Sequence, residues 1–195
     1  MSMKTSSRWK KGFTLIELLV VITIIALLAG IAFPAIGKAL QTAKKAEASA
    51  MINNLKIALT SYNTEYGSWP DNVFTDETSS VESGNKDLYE MLAGISTTNN
   101  PRKISFMDFN VKVLRTGELS PDNTRLDGTA EGFVDPWNQP YRLLADVNYD
   151  NEIELPIEFT DQQKLNTSLI IWSRGNQSPW DDVENQDKNY IRSWK

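Results

Sequence analysis

One ionisable side chain interrupts the apolar run from Phe13 to Ile36, the carboxylate of Glu17. A lone acid in such surroundings is no catalyst. It is a charge in need of a cation, because an unpaired charge in a low-dielectric medium is penalised and a paired one strongly attracted. The chain has no histidine and no cysteine, which excludes cysteine nucleophiles, disulfides and His-ligated zinc. Ser173 stands beside Arg174 with no lysine at dyad spacing, and no glycine-rich phosphate loop occurs. What remains is oxygen chemistry. It is offered by Asp146-Val147-Asn148-Tyr149-Asp150-Asn151-Glu152 and by the loop carrying Asn176, Asp181, Asp182, Glu184, Asp187 and Asn189. Hard cations such as Ca²⁺ take about six to eight such oxygens. Such acidic stretches are also ordinary solvated loops, and with no catalytic constellation in view no enzyme is expected.

The element that positions Glu17 is a helix. The 24 residues from 13 to 36 would be roughly 36 Å long as an α-helix, enough for a hydrocarbon core of roughly 30 Å. Near mid-bilayer Glu17 would cost on the order of 2 to 3 kcal/mol. Before the run, Lys4, Arg8, Lys10 and Lys11 form a basic leader without an acid. Basic flanks stay cytoplasmic, so the chain from Lys38 onward is expected outside the cytoplasm. A cleavable secretory signal would have a shorter apolar region, about 7 to 15 residues. Its best cleavage site here is the weak Gly30-Ile31-Ala32.

Gly12-Phe13-Thr14-Leu15-Ile16-Glu17, a basic leader before it and an apolar helix after it closely resemble the type III signal of type IV pilins and type II secretion pseudopilins. The resemblance implies cleavage between Gly12 and Phe13 by a prepilin peptidase, which also methylates the new N-terminal Phe13. It implies that Glu17 is the assembly carboxylate, paired with the Phe13 amine of a neighbouring subunit, and that Pro34 marks a helix kink. Removal of residues 1–12 would take the net charge from −5 to −9. So acidic a chain does not suit nucleic acid, which needs clustered Lys and Arg.

Beyond Lys38 the pattern becomes amphipathic. Ala48, Met51, Ile52, Leu55, Ala58, Leu59, Tyr62 and Tyr66 recur at helical steps among polar residues. Gly67 and Trp69-Pro70 stop the helix. Residues 13–66 are thus expected to form one helix of roughly 80 Å. Residues 67–134 are polar and turn-rich, with a short helix at 88–92. Near-alternating Phe106, Phe109, Val111 and Val113 suggest a strand within 104–114. Residues 141–145, 153–159, 168–172 and 190–194 are strand candidates for a small antiparallel sheet. The expected fold is α+β and pilin-like. Its segments are a cleaved leader (1–12), a transmembrane and filament-core helix (13–36), an amphipathic continuation (37–66), a variable region (67–134) and a C-terminal β region (135–195).

Asp135-Pro136-Trp137-Asn138-Gln139-Pro140-Tyr141 is similar to the Asp-Pro-Trp-Gly-x-Pro-Tyr segment of major pseudopilins. Ser173-Arg174-Gly175 resembles their Ser-x-Gly, and Ile191-Arg192-Ser193-Trp194 their Ile-x-Ser-Trp ending. By the same resemblance a C-terminal loop would bind Ca²⁺ in place of a pilin disulfide, here through Asp181, Asp182, Asp187 and Asn189. The family pattern is broken at Gln177-Ser178 and Asn189-Tyr190, which leaves a solvated acidic loop as the alternative. Residues 146–152 match the first three ligand positions of an EF-hand, but Asn151 replaces the glycine and Ile157 the bidentate acid. A hairpin turn over 149–152 is the reading expected there.

The resemblance as a whole implies a structural subunit of a type II secretion pseudopilus, a single-pass protein of the bacterial inner membrane with its C-terminal domain periplasmic. Its partners would be the prepilin peptidase and methyltransferase, further copies of itself, other pseudopilins and the inner-membrane assembly platform. The alternative is a type IV pilin of a surface fibre for adhesion, motility or DNA uptake.

Overall fold

The computed structural model describes residues 13–110, 113–116, 130–156, 159, 164–176 and 190–194. The chain forms two compact units that divide between Thr42 and Ala43. Helix α1, Leu15–Tyr66, runs through both.

In the first unit α1 is apolar on all sides and exposed, from Phe13 and Leu15 to Ile31, Phe33 and Ile36. The helix is long and apolar enough to cross a membrane. The backbone stays helical through Gly30, Pro34 and Gly37.

The second unit is built on the amphipathic half of α1. Ala48, Ile52, Leu55, Ala58, Leu59 and Tyr62 are all buried. Their three- and four-residue steps put them on one face. The helix stops at Gly67, whose φ of 76° suits glycine and whose N–H donates to the Asn63 carbonyl at 2.8 Å, the left-handed cap that closes many helices.

Four strands form the main sheet: β1 (Val81–Glu82), β4 (Arg142–Ala145), β7 (Leu169–Ser173) and β8 (Ile191–Arg192), in the order β1-β4-β7-β8. All three pairings are antiparallel, with Leu143 opposite Ile171 and Ala145 opposite Leu169. Two small ribbons flank it, β2 (Leu114–Thr116) with β3 (Ala130–Phe133), and β5 (Ile153–Glu154) with β6 (Lys164–Leu165). The short helix α2 covers Lys86–Leu92, capped by Asn85, whose side chain accepts from the N–H groups of Asp87 and Leu88.

The central strands β4 and β7 read as unbroken apolar runs because both faces of the sheet are covered. Leu143, Ala145, Leu169 and Ile171 join the core that contains the α1 stripe and α2. Leu144, Ile170 and Trp172 join a second core with Ile153, Leu155, Phe159 and Tyr190. There Phe159 meets Trp172, Tyr190 and Trp194 edge-on, with centroids 5.2 to 5.6 Å apart.

Two expectations about strands change. Residues 104–110 form no strand. Phe106 and Met107 instead donate their N–H groups to the Leu92 carbonyl. Phe106 meets Tyr62 and Tyr66 edge-on, while Phe109 meets Tyr89 and Phe133. Aromatic packing on two sides produces the alternation. The strand at 153–159 shortens to Ile153–Glu154 among the described residues. The sheet also takes its edge strand β1 from the segment expected to be variable.

Candidate functional site

The helix start is built by Thr14 and Glu17. The Thr14 N–H and hydroxyl both donate to Glu17 Oε2, at 2.8 and 2.7 Å, and the Glu17 N–H donates back to Thr14 Oγ1 at 3.3 Å. This is a Thr-x-x-Glu capping box, with Thr14 as N-cap and Glu17 at N3. The signal was present in the sequence, where Thr14 and Glu17 open the apolar run. It gives Glu17 a local partner in the single chain. The carboxylate sits at the positive end of α1, bonded to Thr14, the residue after Phe13, which is 78% exposed. Gly12 lies outside the described residues. Pro34 lies within continuous helix, and no side-chain role is assigned to it.

The three C-terminal motifs converge on β7. Asp135 is 4% exposed. Its Oδ1 accepts from the N–H groups of Trp137 (2.9 Å) and Gln139 (2.8 Å), and its Oδ2 from the Ser173 hydroxyl (2.5 Å). Ser173 Oγ in turn accepts from the Gly175 N–H at 2.9 Å. The Ser173 hydroxyl is fully buried and donates to Asp135, a structural tie between the turn and β7. Ser193 closes the edge, accepting from the Ile171 N–H at its Oγ and donating its own N–H to the Ile171 carbonyl, both at 2.9 Å. Burial raises the Asp135 pKa, opposed by the donors from Ser173, Gln139 and Trp137 and by the charge of Lys44. Lys44 lies over the Trp137 ring, 5.8 Å from its centroid. The Asp135–Tyr141 turn is thus a clamp between β7 and α1.

Residues 146–152 are not a hairpin between β4 and β5, because β4 pairs with β1 and β7 while β5 pairs with β6. Side chains close the loop instead. Asp146 Oδ2 accepts from the Asn151 N–H, Asn148 Oδ1 from the Asp150 N–H, and Asp150 Oδ1 from the Glu152 N–H, at 2.7 to 2.8 Å. Asn151 has a φ of 63°, a left-handed conformation that Asn tolerates better than most residues. It therefore serves where a glycine seemed required. Glu77, from the connection between α1 and β1, accepts from the Asn148 N–H and Nδ2 at 2.9 and 3.0 Å.

Asp181, Asp182, Asp187 and Asn189 lie outside the described residues. Two buried polar residues that the sequence reading passed over hold the second unit together. Ser83 Oγ donates to the Phe133 carbonyl (2.5 Å) and accepts from the Tyr141 N–H (2.8 Å). Asn100 donates to the Met91 and Ile104 carbonyls and accepts from the Ile104 N–H and the Tyr66 hydroxyl. Nothing local in Asn99-Asn100-Pro101 beyond a turn signal would have revealed that role.

Residues 10–33 match the prokaryotic N-terminal methylation motif. A type IV major pilin protein PilE of Neisseria gonorrhoeae is 32% identical over 128 residues, which cover 64% of this chain and 73% of that protein. A PilE1 major pilin of the same organism is 43% identical over 63 residues, 32% of this chain and 38% of the relative. Fimbrial protein EcpC of Eikenella corrodens is 43% identical over 61 residues, 31% of this chain and 40% of the relative. The chain thus spans about two fifths of the length of most of these relatives. No solved structure matches it.

Proposed function

The chain belongs to the type IV pilin family, and from that premise we propose that it is a filament subunit, cut between Gly12 and Phe13, methylated on Phe13 and polymerised through the apolar half of α1. The observation that carries this is the exposed apolar surface of the first unit with one carboxylate at its head. Lipid covers such a surface before assembly and the helices of other subunits cover it after. The capping box holds Glu17 at the helix end, where the α-amine released at Phe13 of an incoming subunit neutralises it. Glu17 acts as a register device. The subunit starts in the bacterial cytoplasmic membrane, N-terminus inside, and its partners are the prepilin peptidase, the assembly platform and further subunits.

Two of the named relatives are type IV major pilins and the third is a fimbrial protein, which favours the surface fibre. One observation favours a type II secretion pseudopilus. The Asp135–Tyr141 turn and Ser173-Arg174-Gly175, both similar to pseudopilin segments, are joined by the Asp135–Ser173 hydrogen bond. Imaging where the filament ends, in the periplasm or beyond the cell surface, separates the two.

Glu17→Gln tests the assembly role. Glutamine at N3 still completes a capping box, so the helix start survives while the charge is lost. Filament yield after shearing is expected to fall at least tenfold, with membrane insertion unchanged. Normal filaments from Glu17→Gln would sink the register role.

A further inference from the structure

We propose that Glu77, Asp146 and Asp150 form a Ca²⁺ site that joins the connection after α1 to the β4–β5 loop. One oxygen from each of the three carboxylates lies within 4.8 Å of the others. A second observation points to a ligand. Asp146 is 3% exposed, and its Oδ1 has no hydrogen-bond partner among the described residues. A buried carboxylate oxygen without a donor is expensive, which a bound cation would relieve. Its other oxygen is held by the Asn151 N–H, which fixes the carboxylate in place.

Asn148 adds a fourth oxygen-bearing side chain beside the three carboxylates. Asp146, Asn148 and Asp150 occupy alternate positions of a loop that curls through Tyr149 and Asn151 at φ near 62–63°. That is the spacing by which an EF-hand presents its first three ligands. The acid that closes an EF-hand from its twelfth position is missing from this loop, and Glu77 provides a carboxylate from another segment. An Asx turn presents Glu77: Asp76 Oδ1 accepts from the Thr78 N–H and hydroxyl and the Ser79 N–H. Asn148 Nδ2 now bridges Glu77 and Asp150, partly screening two acids that a dication would neutralise. An all-oxygen set selects Ca²⁺ or Mg²⁺ over zinc or copper. Several carboxylates drawn from two loops suit Ca²⁺, since Mg²⁺ keeps most of its waters. The proposed ligands include none of Asp181, Asp182, Asp187 and Asn189, and they are chosen without reference to filament assembly.

The test is a melting curve of the full chain in detergent, titrated with CaCl₂ after chelation. The wild type is expected to melt several degrees higher in calcium, with half-saturation of about 10⁻⁴–10⁻³ M, the range of extracellular calcium modules. Glu77→Gln and Asp150→Asn should each weaken the apparent affinity about tenfold or more, because affinity follows ligand charge. The double variant should show no calcium shift, whereas Asp181→Asn with Asp182→Asn should keep it. Hydrogen exchange on the wild type avoids any folding defect: calcium should protect the amides of 146–152 and 76–79. No calcium shift in the wild type, a shift that survives Glu77→Gln/Asp150→Asn, or protection confined to residues 177–189 would each overturn the proposal.

Discussion

Asp135 is the point where the clamp on β7 can be tested by a single side chain. Asp135→Ala removes the acceptor of three donors, the Trp137 and Gln139 N–H groups and the Ser173 hydroxyl. Ser173 is fully buried, while Trp137 and Gln139 are half-buried. At about 1–3 kcal/mol for each buried group left unsatisfied, less for the two that water can reach, the loss should be about 3–5 kcal/mol. Asp135→Asn keeps Oδ1 for both backbone donors and offers an amide to Ser173 Oγ, so its loss should stay below about 2 kcal/mol.

The two variants also separate by pH. Burial raises the Asp135 pKa above its ordinary 3.8, so the folded protein holds this proton more tightly than the unfolded chain. The stability this contributes is fully present below 3.8 and is lost as pH rises through the folded pKa. Wild type should therefore lose ground to Asp135→Asn between acid and neutral pH, then run parallel to it. The assay is urea unfolding of the full chain in detergent, followed by near-ultraviolet circular dichroism at several pH values. Asp135→Ala within about 1 kcal/mol of wild type would refute the clamp. A wild-type advantage over Asn that grows with pH would refute the burial argument, since it would require a depressed pKa.

Two further predictions concern the packing of the second unit. A Cβ on Gly132 would lie 2.4 Å from the Ser83 carbonyl oxygen and 2.6 Å from the Gly84 Cα, so Gly132→Ala must separate β3 from the β1 end. It should cost about 1–3 kcal/mol, seen as a lower melting temperature, and an unchanged one would show that the approach is looser than described. Asn100→Ala strands the Met91 and Ile104 carbonyls, the Ile104 N–H and the Tyr66 hydroxyl. A loss of about 2–4 kcal/mol is expected by chemical denaturation, with a value under about 1 kcal/mol counting against the hub.

The long helix was legible because period and punctuation agreed. The stripe is buried from Ala48 to Tyr62, with Met51 and Tyr66 partly buried against the same core, and Gly67 stops the helix. Strands β4 and β7 were legible as apolar runs, although which residue faces which core was not, since a run buried on both faces carries no alternation. The segment 104–110 misled because Phe106 and Phe109 serve two aromatic clusters without a strand between them. Strand β1 has two residues and no pattern to detect. Contacts distant in sequence, such as Glu77 with Asn148 or Ser83 with Phe133, left no local trace. At the N-terminus the motif from Gly12 to Glu17 was legible within six residues, and residues 10–33 match the methylation motif. The capping role of Thr14 was missed.

The central claim is that this chain is a processed subunit of the type IV pilin class, and the mass of the mature protein tests it most directly. Intact-mass analysis of protein extracted from the membrane of cells with an active prepilin peptidase should show a chain beginning at Phe13, without residues 1–12 and with one added methyl group. A mature N-terminus at Phe33, after the small residues of Gly30-Ile31-Ala32, would contradict it and mark the apolar run as an ordinary secretory signal.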